Sequence, residues 1–303
     1  MRTHDLVDPW RVAPDRLVDL SSPVVMGILN VTPDSFHDGG QFSNPHQALL
    51  RAVEMSTEGA AIIDVGGEST RPGAQRVDVT EQIDRTASVI ELICKELDCV
   101  VSIDTTRSAV AAAALQAGAD VINDVSAGLE DSSILDLAAT QRSGIVLMHR
   151  LAEPEVDSYS NEYDSEPDYG SVGVVQAVQV FLRERRREAI DRGIAEQNIV
   201  LDPGLGFGKS VEQNLALLGG ISEIAREGGA PMLIGASRKS FIGAITGANM
   251  PNERLFGSLA AAVIAAIQGA SIIRTHDVRA TVDALAVAGA AGANFKLAPD
   301  TMS

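Results

Sequence analysis

The chain has 303 residues, of which 45% are hydrophobic and 4% aromatic, and its formal net charge is -17. So acidic a protein repels nucleic acid and anionic membranes, and an anionic ligand would need a local cluster of cations. The N-terminal segment lacks the apolar stretch of a signal peptide, and the longest apolar run, Leu259–Ile267, is too short to span a membrane. Cys94 and Cys99 do not form a CxxC pair, so we expect free thiols and a cytoplasmic protein.

Eight short apolar runs predict β-strands. Each run is continuously apolar, as in strands buried on both faces, and each ends in polar residues or glycine. In chain order they are Val24–Asn30, Ala61–Gly67, Val100–Thr105, Val121–Val125, Ile145–His149, Ile199–Asp202, Met232–Ala236 and Ile272–His276. Helical patterns separate them, and one of these has a predicted apolar stripe of Ile83, Ala87, Ile90, Cys94 and Leu97.

A weak internal repeat supports an alternating fold. The segments EGAAIIDV, AGADVIND and QGASIIRT each contain a helix-ending Gly, then Ala, an apolar strand and polar residues. Glycine after the last helical turn provides a left-handed cap that returns the chain to the sheet. We therefore predict an α/β protein with a single (β/α)8 TIM barrel domain over residues 1–303, in which residues 1–22 are an N-terminal extension. An open, doubly wound sheet is the main alternative.

Two surface segments have simple interpretations. Residues 152–173 contain all three tyrosines and show no periodicity, so they are predicted to form a long loop after the fifth strand. We interpret this loop as a solvated excursion rather than a lid. The basic run Arg183–Glu188 lies in a helical pattern and is interpreted as the solvated face of an outer helix.

The ends of the predicted strands collect polar residues. In a barrel of this type the active site lies at the C-terminal ends of the strands. Capping would explain one polar residue at such a position but not one from every strand, so we predict an active site here. In strand order the residues are Asn30, Gly66–Arg71, Asp104, Asn123, His149, Asp202, Ser237–Lys239 and Arg274–His276.

These residues divide by charge. Arg274 and His276 are two residues apart and point to the same side of their strand, and Lys239 follows the neighbouring strand. Together they suit a phosphate or pyrophosphate, which barrels often bind near the seventh and eighth strands. The alternative is that Arg274 belongs to a structural ion pair.

Asp104 and Asp202 come from the third and sixth strands. Two such carboxylates can bind a metal, act as acid and base, or accept hydrogen bonds from ring N–H groups, and with Asn123 they suit a flat heterocycle. Asp64 and Asp124 are predicted to be structural, since strand alternation turns at least Asp124 away from Asn123.

Two polar, glycine-containing loops follow strands. The stretch from Asp202 to Ser210 resembles a Walker A loop superficially, but Pro203 stands where its first glycine is required, so ATP binding is not expected. The loop over residues 30–40 is too polar for the core and is predicted to close over substrate.

Several motifs together resemble the dihydropteroate synthase family, in order from Val24 to the last helix. The combination of the two long loop motifs with SRKSFIG and RTHDV is specific to the family, whereas SIDT and INDV alone are weak signals. The motifs are GILNVTPDSFHDGG (27–40), DVGGESTRPGA (64–74), SIDT (102–105), INDVS (122–126), LDPGLGFGK (201–209), SRKSFIG (237–243), ERLFGSLAAAVIAA (253–266) and IIRTHDVR (272–279).

The resemblance implies condensation of a dihydropterin hydroxymethyl pyrophosphate with p-aminobenzoate, giving dihydropteroate and pyrophosphate in folate biosynthesis. It implies that pyrophosphate leaves first, so that a cation forms on the pterin before the amine attacks. It also implies Mg²⁺, a homodimer and sensitivity to sulfonamides. His37, where the family commonly has Ser, and the acidic segment after His149 depart from the pattern.

The family's site residues carry over by motif. The implied pterin contacts are Asp104, Asn123, Asp202 and Lys239, and the implied pyrophosphate and Mg²⁺ residues are Asn30, Arg274 and His276, with Asp38 assisting the metal. Residues near p-aminobenzoate are Phe36, Thr70, Arg71 and Ser237. Of these, Asp104, Lys239, Arg274 and His276 are the predicted catalytic residues.

Two other functions remain alternatives. A methyltetrahydrofolate-dependent methyltransferase barrel would also bind a pterin, but it would not need Arg274, His276 and the Lys239 loop as an anion site. A catalytically silent pterin-binding paralogue is the other, although every loop motif is intact.

Overall fold

The computed structural model describes residues 9–32 and 45–292, and within them all eight predicted strands are present. A two-stranded hairpin, β1 (Trp10–Ala13) and β2 (Arg16–Val18), precedes them. The barrel strands are β3 (Val24–Asn30), β4 (Ile62–Gly66), β5 (Val100–Asp104), β6 (Val121–Asp124), β7 (Gly144–Met148), β8 (Ile199–Asp202), β9 (Leu233–Ile234) and β10 (Ile272–Thr275).

The strands form a closed parallel barrel. Hydrogen bonding runs in the order β8-β7-β6-β5-β4-β3-β10-β9. A parallel bridge between Leu201 and Met232 joins the two ends, since it connects β8 to the start of the short β9. This confirms the barrel and excludes the open-sheet alternative.

Helices surround the strands. They are α1 (Pro45–Thr57), α2 (Val79–Glu96), α3 (Ser108–Gln116), α4 (Ser133–Gln141), α5 (Gly173–Asp191), α6 (Val211–Gly219), α7 (Ile221–Gly228), α8 (Ser240–Thr246), α9 (Leu255–Ile267) and α10 (Val278–Ala290). The glycines of the repeat, Gly59, Gly118 and Gly269, have φ of +102°, +112° and +98°, as the predicted left-handed turns require. None of the described helices is long and apolar enough to cross a membrane.

The predicted apolar stripe of α2 is displaced. The fully buried side chains are Gln82, Thr86, Val89, Ile90 and Ile93, whereas Ile83, Cys94 and Leu97 pack at the edge. The prediction counted only apolar residues, but Thr86 donates to the carbonyl of Gln82 and is thereby satisfied inside the protein. Cys94 and Cys99 are free thiols, as predicted.

The hairpin closes the end of the barrel opposite the strand C termini. Trp10 is buried there, and its indole Nε1 donates to the carbonyl of Asn198 at 2.9 Å. The hairpin packs on an interior layer to which each barrel strand contributes one apolar side chain. These side chains are Met26, Ile62, Val100, Val121, Val146, Val200, Leu233 and Ile272. The described part of the predicted N-terminal extension therefore belongs to the barrel core.

The loop after β7 lies at the surface, as predicted, with most of residues 152–173 exposed or partly exposed, but it also forms hydrogen bonds to neighbouring loops. Its Ser160 is buried, and the Ser160 amide donates to Ser240 Oγ at 3.0 Å. Tyr169 donates to the carbonyl of Gly208 at 2.8 Å, and Asp157 accepts from the Gly208 amide at 3.0 Å. The loop is thus bonded to the segments that follow β8 and β9. The run Arg183–Glu188 lies on α5, an outer helix, as predicted.

Candidate active site

Strand alternation carries a polar layer into the barrel above the apolar one. Val100, Val121, Val200 and Ile272 face the interior, so the side chains two residues later also face inward. This alternation, together with the step from Ile62 to Asp64 in β4, places a polar layer inside the mouth that consists of Asp64, Ser102, Asn123, Asp202 and Arg274.

Arg274 joins the predicted acidic and basic groups into one network. Its Nε donates to Asp64 Oδ2 at 2.7 Å and its Nη2 donates to Asp104 Oδ2 at 2.8 Å. Asn123 Nδ2 donates to the same oxygen of Asp64 at 3.0 Å. The alternative interpretation of Arg274, a buried ion pair, therefore describes this structure, and the pair lies within the predicted site.

Asp124 has the structural role that was predicted for it, and Asp64, also predicted to be structural, forms an ion pair and a hydrogen bond inside the mouth. Asp64 is fully buried and contacts two predicted site residues. Asp124 accepts from the amide and hydroxyl of Ser126 at 2.8 and 2.7 Å, which fixes a turn. Alternation within β4 contained the signal, because Asp64 is two residues after the inward Ile62.

The carboxylates retain unused acceptors. Asp64 Oδ1 and Asp104 Oδ1 are buried and have no hydrogen-bond donor among the described residues. Burial raises the pKa of Asp104 to about 7 while the charge of Arg274 opposes the rise, and burial raises the pKa of Asp202 to about 6. Buried acceptors without donors are costly unless a ligand supplies the missing N–H groups.

Lys239 lies over the face of Phe207, with its Nζ 3.8 Å from the ring centroid. Burial, and then the charge of Arg274, lowers the pKa of Lys239 to about 8. Gly206 lets the lysine lie against the backbone of the loop after β8, since a Cβ on that residue would approach Lys239 Cδ to 2.8 Å. Phe207 was not predicted as a site residue, although it lies within the GFG part of the recognised motif.

Ser237 and His276 contact each other across the ends of β9 and β10. Ser237 Oγ is 3.0 Å from His276 Nδ1 and accepts from the His276 amide at 3.2 Å. Burial, and then the charge of Arg274, lowers the pKa of His276 to about 3. His276 is therefore a neutral hydrogen-bonding group at physiological pH rather than one of the cations.

Arg238 sets the course of the chain between Ser237 and Lys239. Its φ is +60°, an uncommon value for a residue with a side chain. Asp277 accepts from its Nε at 3.0 Å and from its Nη2 at 2.5 Å, and Arg254 Nη1 donates to its carbonyl at 3.0 Å. These bonds hold the turn that presents both predicted site residues.

Asn30 lies at the end of β3, next to Gly66 in the neighbouring strand. A Cβ at Gly66 would be 3.6 Å from Asn30 Oδ1 and 3.7 Å from Asp104 Cβ, so both side chains lie close to the glycine. Residues 9–32 and 45–292 contain no group of three His, Cys, Asp or Glu side chains arranged to hold a metal. Phe36 and Asp38, with the predicted closing loop, lie outside the described residues.

The loop after β4 carries Thr70, which is partly buried, and Arg71, which is exposed. The Arg71 charge contributes to lowering the pKa of His276, after burial and the charges of Arg274 and Arg238. The charge of Arg71 thus acts on the residue at the end of β10.

A charge cluster, which was not predicted, fixes that loop. Glu130 accepts from Arg76 and Arg150, and Thr106 donates to it at 2.6 Å. Arg76 also pairs with Glu68 at 3.3 Å. Glu130 therefore joins the loops after β4, β5, β6 and β7. Burial alone would raise the pKa of Glu130, but hydrogen bonds from Thr106, Arg150 and Arg76 lower it to about 2.

For p-aminobenzoate, the substrate that the family resemblance implies, we expect Glu130→Gln to raise KM about tenfold. The amide carries no charge to hold both arginines, so the loop with Thr70 and Arg71 shifts. KM for the pterin substrate should stay the same. Steady-state kinetics with each substrate varied in turn measures both values, with the exposed Glu223→Gln as the control. Equal changes in both KM values would contradict a local role for Glu130.

His149 is a strand-end residue that the structure does not bring into the mouth. It is buried behind the strands, where its ring packs edge-on against Phe181 of α5 at a centroid distance of 4.7 Å. Its Nδ1 lies 3.0 Å from Lys209 Nζ.

Comparisons with known proteins agree with this geometry. A family model described as "Pterin binding enzyme" matches residues 26–276. A dihydropteroate synthase of Synechocystis sp. is 44% identical over 266 residues, which cover 88% of this chain and 89% of the relative. The chain belongs to the dihydropteroate synthase family. The family resemblance read from the motifs is thus confirmed.

Solved structures of the dihydropteroate synthase family are also similar. The Xanthomonas albilineans dihydropteroate synthase with 4-aminobenzoic acid has a TM-score of 0.84 and 42% identity, covering 94% of this chain and 98% of that one. The Xanthomonas albilineans enzyme in complex with 7,8-dihydropteroate has a TM-score of 0.81 and 38% identity, covering 94% and 99%. The family assignment favours the synthase over the methyltransferase alternative.

Proposed function

We propose that this chain acts as a dihydropteroate synthase of folate biosynthesis, joining a dihydropterin hydroxymethyl pyrophosphate to p-aminobenzoate with release of pyrophosphate. The observation that carries the proposal is the network centred on Arg274, in which carboxylates with unused acceptors lie beside cationic side chains. A pterin offers N–H groups to such acceptors, and its diphosphate requires cations.

Different residues would bind the different parts of the two substrates. Asp104, Asp202 and Asn123 line the interior and suit the hydrogen-bonding edges of the pterin, with Lys239 above Phe207 closing one side. The Ser237–His276 pair, with Arg71 nearby, faces the region that suits the diphosphate and p-aminobenzoate.

The reaction needs charge stabilisation more than a strong base. The C–O bond to the diphosphate breaks with its electron pair going to oxygen, and the remaining cation is delocalised into the pterin. Ionised Asp104 and Asp202 would stabilise that cation in a site shielded from water. The amine nitrogen of p-aminobenzoate then forms the C–N bond, and its proton passes to the released diphosphate or to water.

Asn30 fits the predicted Mg²⁺ because it is partly exposed at the C-terminal end of β3 and supplies a side-chain oxygen there. Mg²⁺ commonly takes one or two protein oxygens and completes its shell with water and substrate phosphates, so a single amide oxygen is consistent with the absence of a larger cluster among the described residues. Asn30, with Asp38, would hold the ion, which neutralises charge on the leaving diphosphate. The expected sulfonamide sensitivity and cytoplasmic location stay predictions.

The direct test is pyrophosphate release by the purified protein. We expect release when pterin pyrophosphate, p-aminobenzoate and Mg²⁺ are all present, and dihydropteroate should form in equal amount. Omission of any one component should abolish dihydropteroate formation. Pterin binding without turnover under complete conditions would indicate the silent paralogue instead.

We also propose a homodimer through the outer face of α9. Phe256, Ile264 and Ile267 are 81%, 44% and 46% exposed and lie along one side of a helix whose other side is buried in the barrel layer. A helix that is apolar on all sides is typical of a buried helix, so we assign a second copy of the chain to this face.

Phe256→Asp should convert a dimer into a monomer, since it would bury an unpaired charge in the interface. Sedimentation velocity at several protein concentrations measures the change. Leu17→Asp, which alters an exposed apolar residue of the hairpin, is the control and should leave the mass unchanged. A monomeric wild type, or a dimeric Phe256→Asp, would rule out this face.

A further inference from the structure

Lys209 is a fully buried lysine without a carboxylate in ion-pair contact among the described residues. Its Nζ donates to the carbonyl of Phe207 at 2.8 Å and to the carbonyl of His149 at 3.4 Å, and it lies 3.0 Å from His149 Nδ1. A lysine ammonium has three N–H donors, and these three acceptors use all of them. Burial lowers the pKa of Lys209 to about 7, although the carboxylates of Asp202 and Asp157 favour its charged form. A lysine buried with only neutral hydrogen-bond partners is costly, so its retention points to a specific task.

The three acceptors lie on two segments that must stay together. His149 follows β7, whereas Phe207 belongs to the glycine loop, defined here as Gly204–Gly208, which follows β8. Lys209 therefore connects the glycine loop to the end of β7 through hydrogen bonds.

The glycine loop has no room to move toward either neighbour. Gly204 lies so close to the carbonyl of His149 that a Cβ would come within 1.9 Å of its oxygen, and a Cβ on Gly208 would come within 2.3 Å of Leu151 Cβ. On the opposite side, Gly206 lies against Lys239. The loop thus forms a thin layer between the end of β7 and a predicted pterin contact.

Both ends of the glycine loop reach the proposed pterin site. Asp202 Oδ1 accepts from the Gly204 amide at 2.7 Å, and the Phe207 ring lies under the Lys239 ammonium. A shift of the loop would therefore move Phe207 and remove a bond that orients Asp202.

We propose that Lys209, through His149, is a positioning residue for the pterin half of the site. It does not touch the reacting atoms. It sets the glycine loop so that Phe207 supports Lys239 and Asp202 keeps its orientation. The inference rests on the proposed function, since it assumes that Asp202 and Lys239 bind the pterin.

The test separates the two substrates. Lys209→Met keeps the length of the side chain but removes its donors, so we expect Kd and KM for the pterin substrate to rise about 10- to 100-fold while KM for p-aminobenzoate stays within about twofold. Kd is measured by calorimetry with a non-reactive hydroxymethyl pterin. Trp10→Phe, at the opposite end of the barrel, is the control, because it loses a buried hydrogen bond and should lower Tm without changing either KM.

His149 provides the second variant. His149→Leu should reproduce the selective loss of pterin affinity, and His149→Asn, which keeps a side-chain acceptor, should restore part of it. Unchanged pterin Kd in both Lys209→Met and His149→Leu would overturn the inference, as would an equal rise in the two KM values. If the wild type itself neither binds the pterin nor releases pyrophosphate, the proposed function fails, and that result is distinct from the others.

Discussion

Asp104→Asn should lower kcat/KM about 100- to 1000-fold while the protein remains folded. The substitution preserves the shape of the side chain and an oxygen acceptor for Arg274, but removes a negative charge from the place where the pterin cation would develop. The fold should survive because Arg274 keeps its 2.7 Å contact with Asp64.

The measurement is initial-rate pyrophosphate release by the purified variant, with Tm recorded on the same preparation. Asp136→Asn is a matched control, since it makes the same chemical change at an exposed carboxylate on α4. Its rate should equal that of the wild type. Wild-type turnover by Asp104→Asn would remove this carboxylate from the mechanism.

Arg274→Met should lose both turnover and stability. The methionine leaves Asp64 and Asp104 buried without their cation, and breaking a buried pair from one side typically costs about 3–5 kcal/mol in the free energy of unfolding. Turnover should fall at least as far as in Asp104→Asn, because the variant also loses the cation that the family resemblance assigns to the diphosphate.

A double-mutant cycle with Asp64→Asn separates the two effects. Urea denaturation should show that Asp64→Asn recovers a large part of the stability lost in Arg274→Met, since the unpaired charge is gone. The double variant should stay inactive in the pyrophosphate assay. Additive losses of stability in the cycle would show that Asp64 and Arg274 do not interact as described.

The barrel and most of its mouth were predictable because they depend on local patterns. Continuous apolar runs identify buried parallel strands, and alternation then decides which strand-end side chains face inward. Asn123 and Asp202 were found in this way. The shortness of β9 was not predicted, because the run Met232–Ala236 is apolar enough for a longer strand, and only pairing geometry ends it at Ile234.

What was missed depends on contacts between distant segments. An ion pair was an alternative for Arg274, but its partner Asp64 is 210 residues away, so neither motif identifies the partner. The acidic loop after β7 has a composition typical of solvated loops, yet its bonds to Gly208 and Ser240 tie it down. The buried Lys209 belongs to a motif that sequence reasoning could only exclude as an ATP site.

The central claim is that one mouth holds a flat heterocycle between Asp104 and Asp202 with a diphosphate beside the cations. A crystal structure of this protein soaked with a pterin pyrophosphate tests it most directly. The predicted result is a ring whose N–H groups donate to the unused carboxylate oxygens, with the diphosphate next to His276. A well-ordered ligand bound outside the barrel mouth, with the Arg274 network unchanged and unoccupied, would contradict it.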